Sequence, residues 1–303
     1  MDLYERAILF PILRPLFSMN SFIFHFRRKT YDLSKRTLIM GVVNITPDSF
    51  SDGGLFYDRE AAVKQGKRLA AEGADILDIG GESTRPGSKP MIEEEEMGRV
   101  IPVIAELSSA IDIPISIDTR RSEVAKKAIQ AGAEIVNDIS ALRFDPQMAK
   151  VCAEHRVPVV LMHMQGEPET MQVEPCYDNI LKEISDFFKS RIAWAESQRI
   201  GNDQIILDPG IGFGKSLDQG HNLMILKNLQ AFKNLGKPIL VGPSRKSFIG
   251  KILGLPPQER EEGSMAAVVA SILNGANIVR VHEVEKMSRG VRVADAILHA
   301  PAV

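Results

Sequence analysis

Polar side chains recur where short apolar runs of this sequence end, and their types suit a bound heterocycle. Asp118, Asn137 and Asp208 each lie at or near the end of such a run, and Lys246 follows another. A carboxylate pairs well with a guanidine-like edge, and an ammonium group pairs with a ring carbonyl or nitrogen. Burying such groups unpaired is costly, so they either satisfy one another or meet a ligand rich in donors and acceptors.

A second set of residues is suited to an anion. Arg280 and His282 alternate along one run, so their side chains should point the same way, and Arg offers a bidentate fork for phosphate. Asn44 ends the first run, and its amide oxygen could bind Mg²⁺, which takes few protein ligands besides substrate phosphates. The first N–H groups of a helix after Ser244 would favour a carboxylate or phosphate. The pattern predicts an anion site, at which Asn44 could bind Mg²⁺.

Eight short β-branched runs alternate with longer segments of helical period, and these elements must position the polar residues. The predicted strands are residues 38–44, 76–79, 115–118, 135–139, 159–162, 205–208, 239–241 and 278–281. The predicted helices are residues 59–72, 93–108, 122–130, 146–155, 180–199, 222–232, 264–273 and 285–298. Alternating strands and helices indicate a parallel sheet, and strands that are apolar throughout indicate that both its faces are covered.

Eight such units favour a closed barrel over an open doubly wound sheet, and no Gly-x-Gly-x-x-Gly turn follows the first strand. We predict an α/β fold: a single (β/α)8 TIM barrel over residues 36–303 with a short N-terminal extension, residues 1–35. The 303 residues suit a fold that typically takes ~250. Active sites of such barrels lie at the C-terminal ends of the strands, where the polar residues occur.

Residues at the helix ends support these boundaries. Gly73, Gly132 and Gly275 each follow a predicted helix, where glycine suits a left-handed residue. The candidate N-caps carry an acid or a hydroxyl and are Asp58, Ser122, Asp145 and Ser264.

Two segments at the predicted active-site end are rich in Pro, Gly, Ser, Asp and Thr. They are residues 47–54 and 83–90, with Phe50 and Arg85 as large exceptions. Long loops at that face commonly act as lids, and the plainer alternative is ordinary surface turns. A large aromatic side chain in a polar loop favours the lid.

Composition excludes several classes of protein. The formal net charge is −2, so no strong basic surface favours nucleic acid or anionic membrane. Cys152 and Cys176 have no metal-site spacing and give no disulfide framework, which indicates free thiols in a reducing cytoplasm.

The first 30 residues contain apolar patches broken by Pro11 and Pro15. None approaches the ~20 residues of a membrane span, and a secretory signal is not expected. Three interpretations stay open: a packing arm, a weak membrane-surface segment, or translated sequence upstream of a start at Met19. The prolines interrupt an amphipathic period and so favour the first or the third.

Eight motifs, in order along the chain, resemble those of dihydropteroate synthases. They are GVVNITPDSFSDGG (41–54), DIGGESTRPG (78–87), SIDT (116–119), VNDIS (136–140), LMHMQG (161–166), DPGIGFGK (208–215), SRK (244–246) and RVH (280–282). The resemblance implies a Mg²⁺-dependent transferase of folate biosynthesis. Such an enzyme joins 6-hydroxymethyl-7,8-dihydropterin pyrophosphate to p-aminobenzoate, releases pyrophosphate and is commonly a homodimer.

The resemblance also implies roles for individual residues. The residues implied for the pterin are Asp118, Asn137, Asp208 and Lys246, with Met162 and Phe213 packing near it and Asp78 supporting the floor. Those implied for pyrophosphate are Asn44 with Mg²⁺, Arg280 and His282. Those implied for the p-aminobenzoate pocket are Phe50, Thr84, Arg85, Pro86 and Ser244, and those implied for catalysis are Asp52, Lys246, Arg280 and His282. Pro243 before SRK and Glu283 after RVH depart from the pattern, which leaves the contact of Glu283 open.

Three other functions fit parts of the pattern. A corrinoid-dependent methyltransferase that uses methyltetrahydrofolate would keep the pterin-facing Asp and Asn, but it has no need of Asn44, Arg280 and His282 around a pyrophosphate. A non-catalytic pterin-binding paralogue is disfavoured because Phe50, Asp52 and Arg85 are all present. A phosphate-binding isomerase would lack the donor–acceptor cluster suited to pterin.

Overall fold

The computed structural model describes residues 22–45, 54–82 and 91–301. A short antiparallel hairpin, β1 (Ile23–His25) and β2 (Thr30–Asp32), precedes an eight-stranded parallel sheet. The eight strands are β3 (Leu38–Asn44), β4 (Ile76–Gly80), β5 (Ile115–Asp118), β6 (Ile135–Asp138), β7 (Val159–Met162), β8 (Ile205–Asp208), β9 (Leu240–Val241) and β10 (Ile278–Val281). All eight strand predictions are confirmed to within one residue at each end.

The sheet closes on itself as the sequence predicts. The first barrel strand, β3, pairs in parallel with the last, β10, and β10 pairs with β9. A single parallel bridge between Leu207 and Ile239 joins β8 to the residue before β9. The prediction of one (β/α)8 barrel is therefore confirmed.

Helices cover the outside of the barrel. They are α1 (Gly54–Ala71), α2 (Glu93–Ala110), α3 (Ser122–Ala131), α4 (Met148–His155), α5 (Ile180–Ser197), α6 (His221–Lys227), α7 (Ser247–Leu253), α8 (Glu261–Leu273) and α9 (Val284–Leu298). The short helix α7 was expected only as a helix after Ser244. The predicted helix 222–232 divides into α6 and a 3₁₀ segment, Leu229–Leu235.

The glycine caps are confirmed, and both hydroxyl caps are wrong. Gly73, Gly132 and Gly275 have φ of 104°, 117° and 108°. Ser122 is the first residue inside α3, and its N–H donates to the carboxylate of Asp145 at 2.8 Å. Ser264 lies within α8, and its hydroxyl donates to a backbone carbonyl one turn earlier. The cap of α3 therefore comes from another segment of the chain, which local sequence cannot indicate.

Asp58 also fails as a cap, because α1 begins four residues earlier, at Gly54. Asp145 does accept the N–H of Gln147 at 2.9 Å, just before α4.

The inward-facing residues of the strands form two layers. The lower layer is apolar and includes Leu38, Met40, Ile76, Ile135, Val160, Ile206, Leu240 and Ile278. Side chains alternate along a strand, so the residue two positions later also points inward. For five strands that residue is a candidate site residue: Asp78, Asn137, Met162, Asp208 and Arg280. The barrel thus places the site on an apolar floor.

The N-terminal hairpin packs under that floor. Phe24 and Tyr31 belong to the same buried cluster as the lower layer, and Phe22 and Phe26 pack against it. The hydroxyl of Tyr31 donates to the carbonyl of Asp75 at 2.9 Å, and Arg28 donates to the carbonyl of Ile111 at 2.8 Å. Residues 22–33 therefore close the N-terminal end of the barrel, whereas residues 1–21 lie outside the described part of the chain.

Replacing Phe24 with alanine is expected to lower the free energy of unfolding by about 3–5 kcal/mol, because it removes a large side chain from a packed cluster. Phe24 is 6% exposed, whereas its neighbour Ile23 is 48% exposed. Ile23→Ala is the matched control and should change stability by about 0.5 kcal/mol or less. Urea denaturation measures both, and equal small effects would mean that the hairpin adds little to the fold.

Within the described ranges, no helix combines the length and the apolar character that crossing a bilayer requires.

Candidate active site

The strand register brings the predicted pterin residues to one level. Asn44 pairs with Gly80, Gly80 with Asp118, and Asp118 with Asn137, across four neighbouring strands. On the other side of the barrel, Met162 of β7 pairs with Asp208 of β8. The residues that end these strands are therefore neighbours in space, as the sequence predicts.

Arg280 lies at the centre of a buried network of carboxylates. Its Nε donates to Asp78 Oδ2 at 2.6 Å, and its Nη2 donates to Asp118 Oδ2 at 2.9 Å. The amide of Asn137 donates to the same Asp78 oxygen at 3.0 Å. The other oxygen of Asp78, Oδ1, is buried without a hydrogen-bond partner in the ranges that the structure describes. Most of the cluster thus satisfies itself, and one buried carboxylate oxygen has no partner among the described residues.

Two carboxylic acids of the site have pKa values raised toward neutral pH. Burial, together with the negative charge of Asp78, raises the pKa of Asp118 to about 7, although Arg280 acts to lower it. Burial raises the pKa of Asp208 to about 6, against the opposing N–H of Gly210 and the charge of Lys246. Perturbed acids of this kind, in a cavity, are typical of functional sites.

The loop after β8 needs its glycines for steric reasons. Gly210 has φ of 71°, and a Cβ on it would lie 1.9 Å from the carbonyl oxygen of His163. Its N–H donates to Asp208 Oδ1 at 2.8 Å, so this close approach fixes the carboxylate. Two residues later, a Cβ on Gly212 would lie 3.0 Å from the side chain of Lys246. The loop can therefore lie directly against both charged residues.

Lys246 stacks over an aromatic ring beside the acids. Its Nζ lies 4.1 Å from the centroid of Phe213, and burial lowers its pKa to about 8. Phe213 also packs against a buried apolar cluster made of Ile139, Met162, Met164 and Met171. A planar ligand in this place would find an apolar surface on one side and acids and a lysine at its edge.

One cavity of about 1450 Å³ joins the two predicted groups of residues. Among the candidate site residues, its lining includes Asn44, Asp118, Phe213, Ser244, Lys246, Arg280 and His282. Asp78, Asn137, Met162 and Asp208 are not part of the lining and are 0–7% exposed. The cavity is larger than the roughly 300–1,000 Å³ of a usual ligand pocket, which leaves room for two substrates.

Ser244 and His282 lie closer together than their separate predicted roles imply. The Ser244 hydroxyl and His282 Nδ1 are 3.0 Å apart. Glu283, whose contact the sequence left open, forms an ion pair with Arg245. The residues after β9 and β10 thus form one connected group at the cavity wall.

Sequence reasoning missed two groups of charged residues that support this wall. Lys215 is fully buried and donates to His163 Nδ1 at 3.0 Å and to the carbonyl of Phe213 at 2.8 Å. Burial and Lys215 lower the pKa of His163 to about 2, so the ring is neutral and accepts this bond. Arg121 forms ion pairs with Glu82 and with the buried Glu96. The sequence signal was weak, since Lys215 is the last residue of DPGIGFGK and Arg121 lies two residues after SIDT.

Comparison with known proteins identifies the family of this chain. Residues 40–282 match the family "Pterin binding enzyme". A dihydropteroate synthase from Synechocystis sp. is 50% identical over 268 residues, which are 88% of this chain and 92% of the relative. The chain belongs to the dihydropteroate synthase family.

Two solved dihydropteroate synthase structures have the same architecture. The Xanthomonas albilineans enzyme with 4-aminobenzoic acid superposes with a TM-score of 0.86 at 44% identity, covering 93% of this chain and 100% of that one. The Yersinia pestis enzyme in complex with a sulfonamide drug also gives 0.86, at 41% identity, with 92% and 100% coverage. This member of the dihydropteroate synthase family is therefore a transferase of folate biosynthesis, on a TIM barrel.

Five residues that the resemblance assigned lie outside the described ranges, namely Phe50, Asp52, Thr84, Arg85 and Pro86. The roles of these residues in this dihydropteroate synthase family member stay predictions.

Proposed function

We propose that the chain condenses 6-hydroxymethyl-7,8-dihydropterin pyrophosphate with p-aminobenzoate to give 7,8-dihydropteroate and pyrophosphate. The observation that carries this proposal is the continuity of the cavity, whose wall includes both Asp118 with Lys246 and Arg280 with His282. A substrate that combines a heterocycle with a pyrophosphate would contact both groups at once. The similarity to dihydropteroate synthases over most of the chain disfavours a methyltetrahydrofolate-dependent methyltransferase and a non-catalytic paralogue.

The pterin is proposed to lie above the apolar floor, with Asp118, Asn137, Asp208 and Lys246 at its edge. Asp208 and Asp118 would accept hydrogen bonds from the guanidine-like side of the ring, and Lys246 would donate to its carbonyl or a ring nitrogen. Met162 and Phe213 would pack near the ring, and Asp78, which is bonded to Asn137 and Arg280, would support it from below.

The pyrophosphate is proposed to contact Arg280, His282 and Asn44. Asn44 lines the cavity, and its amide makes no hydrogen bond to another described residue, so its oxygen could serve as a Mg²⁺ ligand. No cluster of three or more acidic, His or Cys ligands occurs in the described ranges. A Mg²⁺ ion that shares one amide with substrate phosphates needs no such cluster. When bound, the ion would neutralise charge on the phosphate oxygens.

The proposed reaction begins with departure of the pyrophosphate. Arg280 and His282 would stabilise the charge that develops on this leaving group, as preorganised donors do. The C–O bond breaks with its electron pair going to pyrophosphate, which leaves a cationic methylene on the pterin that Asp52 is proposed to stabilise. The amine of p-aminobenzoate then forms the C–N bond and loses a proton. Ser244, with Phe50, Thr84, Arg85 and Pro86, is proposed to hold this second substrate.

A turnover assay tests the proposal. The purified chain is supplied with the pterin pyrophosphate and p-aminobenzoate, with and without Mg²⁺, and both dihydropteroate and pyrophosphate are measured. We expect equal amounts of the two products, formed only with Mg²⁺. A folded chain that binds the pterin and yet releases no pyrophosphate with both substrates present would contradict the enzymatic function. Because the Yersinia pestis relative was solved with a sulfonamide, inhibition by a sulfonamide is also expected.

Pterin binding is expected to weaken as the pH falls from 7 to 5. The pKa of Asp118 is about 7 and that of Asp208 is about 6, so both carboxyls become protonated over this range and lose acceptor capacity. Each carboxylate that must be ionised for binding raises Kd by up to about tenfold per pH unit below its pKa. Titration calorimetry with 6-hydroxymethylpterin measures the slope, and a Kd independent of pH would place the ring away from these acids.

We further propose a homodimer in the cytoplasm. Exposed apolar side chains occur on α6, α7 and α8, and both α6 and α7 contact α8. These side chains are Leu223, Met224, Ile252, Leu253 and Leu273, which are 39–61% exposed. Apolar patches of this kind mark interfaces. Ile252→Glu should give monomers in sedimentation equilibrium, and a wild-type monomer at tens of µM would contradict the dimer.

The unpaired thiols of Cys152 and Cys176 agree with a reducing compartment.

A further inference from the structure

The turn that joins Ser244 to Lys246 passes through a residue with unusual backbone geometry. Arg245 has φ of 60°, in the left-handed region that residues with a Cβ seldom adopt. Such a conformation costs about 1–2 kcal/mol and persists only where surrounding contacts fix it. Because this residue separates two candidate substrate contacts, whatever fixes it also sets their positions.

Arg260 holds this turn from the side of α8. Its Nη1 donates to the carbonyl of Arg245 at 3.1 Å and to that of Lys246 at 3.4 Å, and its Nε donates to the carbonyl of Leu255 at 2.9 Å. One guanidinium thus joins the turn to the end of α7. Arg260 forms no ion pair with any carboxylate of the described ranges. Its guanidinium N–H groups donate to backbone carbonyl oxygens instead.

The same segment also fixes the N–H of the strained residue. The N–H of Arg245 donates to the Ser264 hydroxyl at 2.9 Å, and that hydroxyl donates to the carbonyl of Arg260 at 2.6 Å. Ser264 is 1% exposed, so water cannot easily replace it. The left-handed peptide is therefore held at its donor and at its acceptor by residues 260–264.

Gly250 makes room for this arrangement. A Cβ on Gly250 would lie 2.1 Å from Nη2 and 2.2 Å from Cζ of Arg260. The guanidinium would have to move away, and its bonds to the carbonyls would break. A change at residue 250 therefore offers a second, independent way to remove the contact while leaving Arg260 in the sequence.

We infer that Arg260 is a positioning residue: it holds Arg245 in its left-handed conformation and so sets Ser244 and Lys246 against the two substrates. The consequence for catalysis rests on the proposed function, whereas the consequence for the turn does not. Arg260 touches the backbone of the substrate-binding turn, and its effect on turnover passes through that turn.

Kinetics of three variants test this inference. Arg260→Met and Gly250→Ala should each lower kcat/KM for p-aminobenzoate by about 10- to 100-fold, with much of the change in KM. Arg260→Lys keeps the charge but not the fork, and should be impaired nearly as much. Arg292→Met, at an exposed arginine of α9, is the matched control and should keep normal kinetics. Values for Arg260→Met and Gly250→Ala within twofold of wild type would overturn the inference.

A rescue experiment separates positioning from general destabilisation. Glycine adopts a left-handed backbone without steric cost, so Arg245→Gly added to Arg260→Met should restore activity at least threefold. Added guanidinium at low millimolar concentration should also partly restore Arg260→Met and leave wild type unchanged. No recovery by either route would mean that the loss has another cause.

Hydrogen exchange of the peptide 243–248 measures the stability of the turn and does not require an active enzyme. Its amides should exchange at least tenfold faster in Arg260→Met than in wild type, and unchanged exchange overturns the inference even if kinetics change. If wild type itself shows no turnover, the proposed function fails while the exchange result still decides the role of Arg260. If Arg260→Met does not fold, Gly250→Ala decides both readouts.

Discussion

Replacing Arg280 with methionine is expected to lower kcat/KM by at least about 1,000-fold, and also to reduce stability. A preorganised donor to a developing oxyanion contributes roughly 100- to 1,000-fold to the rate. Arg280 also forms ion pairs with Asp78 and Asp118, which would be left buried without their cation. Breaking a buried pair in this way costs about 3–5 kcal/mol.

Arg280→Met should also change the affinity for each ligand in a different way. Arg280 lowers the pKa of Asp118, so its removal raises that pKa above the value of about 7 and leaves less carboxylate at neutral pH. Affinity for the free pterin alcohol should therefore fall by about tenfold at pH 7 and recover as the pH rises. Affinity for the pyrophosphate substrate should fall much further, and should not recover with pH. Calorimetry with both ligands at pH 7 and 9 measures the difference.

A second substitution provides the control. Adding Asp78→Asn to Arg280→Met removes one of the orphaned charges, so it should restore part of the lost stability without restoring turnover. If the two ligands lost affinity equally at every pH, Arg280 would have a purely structural role and the anion would bind elsewhere in the cavity.

The sequence predicted the barrel because its signal is repeated and local. Each strand is a short β-branched run, and a helix follows each strand. That helix ends at a glycine with a left-handed backbone or at a loop. Errors arose where the deciding contact comes from a distant segment. Ser122 looked like a cap, but Asp145 supplies the cap from the next loop. The hairpin of residues 22–33 is short, and only its packing against the barrel floor makes it a defined element.

The sequence predicted which candidate residues lie close together, but it did not predict the contacts between them. The inward layer follows from period-two alternation, which places Asp78, Asn137, Asp208 and Arg280 two residues above an apolar partner. The pairing of Arg280 with two acids could not be deduced, because it depends on the width of the closed barrel. The contacts of Arg260 could not be predicted either, because its partners are backbone carbonyl oxygens, which every residue type carries.

Asp118→Asn is expected to weaken binding of 6-hydroxymethylpterin by about 100-fold while leaving the fold intact. The substitution is isosteric and removes an ionised acceptor, and a hydrogen bond to a charged group is worth about 1.5–3 kcal/mol. Arg280 keeps its bond to Asp78 through Nε, so the network retains its main ion pair. Titration calorimetry at pH 8, where wild-type Asp118 is mostly ionised, gives the clearest difference.

Stability should change in the opposite direction. The pKa of Asp118 is raised in the folded state to about 7 from 3.8, so folding disfavours the ionised form. This penalty is present above pH 7 and disappears as the pH falls toward the unfolded value. Asp118→Asn lacks the ionised form, so it should be more stable than wild type at pH 8, and the difference should shrink as the pH falls below 7. A buried acid kept for binding at a cost in stability is a common feature of functional sites.

Asp138→Asn is the control on the neighbouring strand, because Asp138 is fully buried and does not line the cavity, whereas Asp118 does. Asp138 accepts the N–H groups of Ser140 and Leu142, each at 2.8 Å, and the Ser140 hydroxyl at 2.6 Å, and so holds a turn with left-handed residues at Ala141 and Leu142. Asparagine has one acceptor oxygen in place of two and cannot accept all three bonds, so the substitution should reduce stability, with little change in the pterin affinity of the folded fraction. Reduced affinity with Asp138→Asn and unchanged affinity with Asp118→Asn would exchange the two roles and move the pterin away from β5.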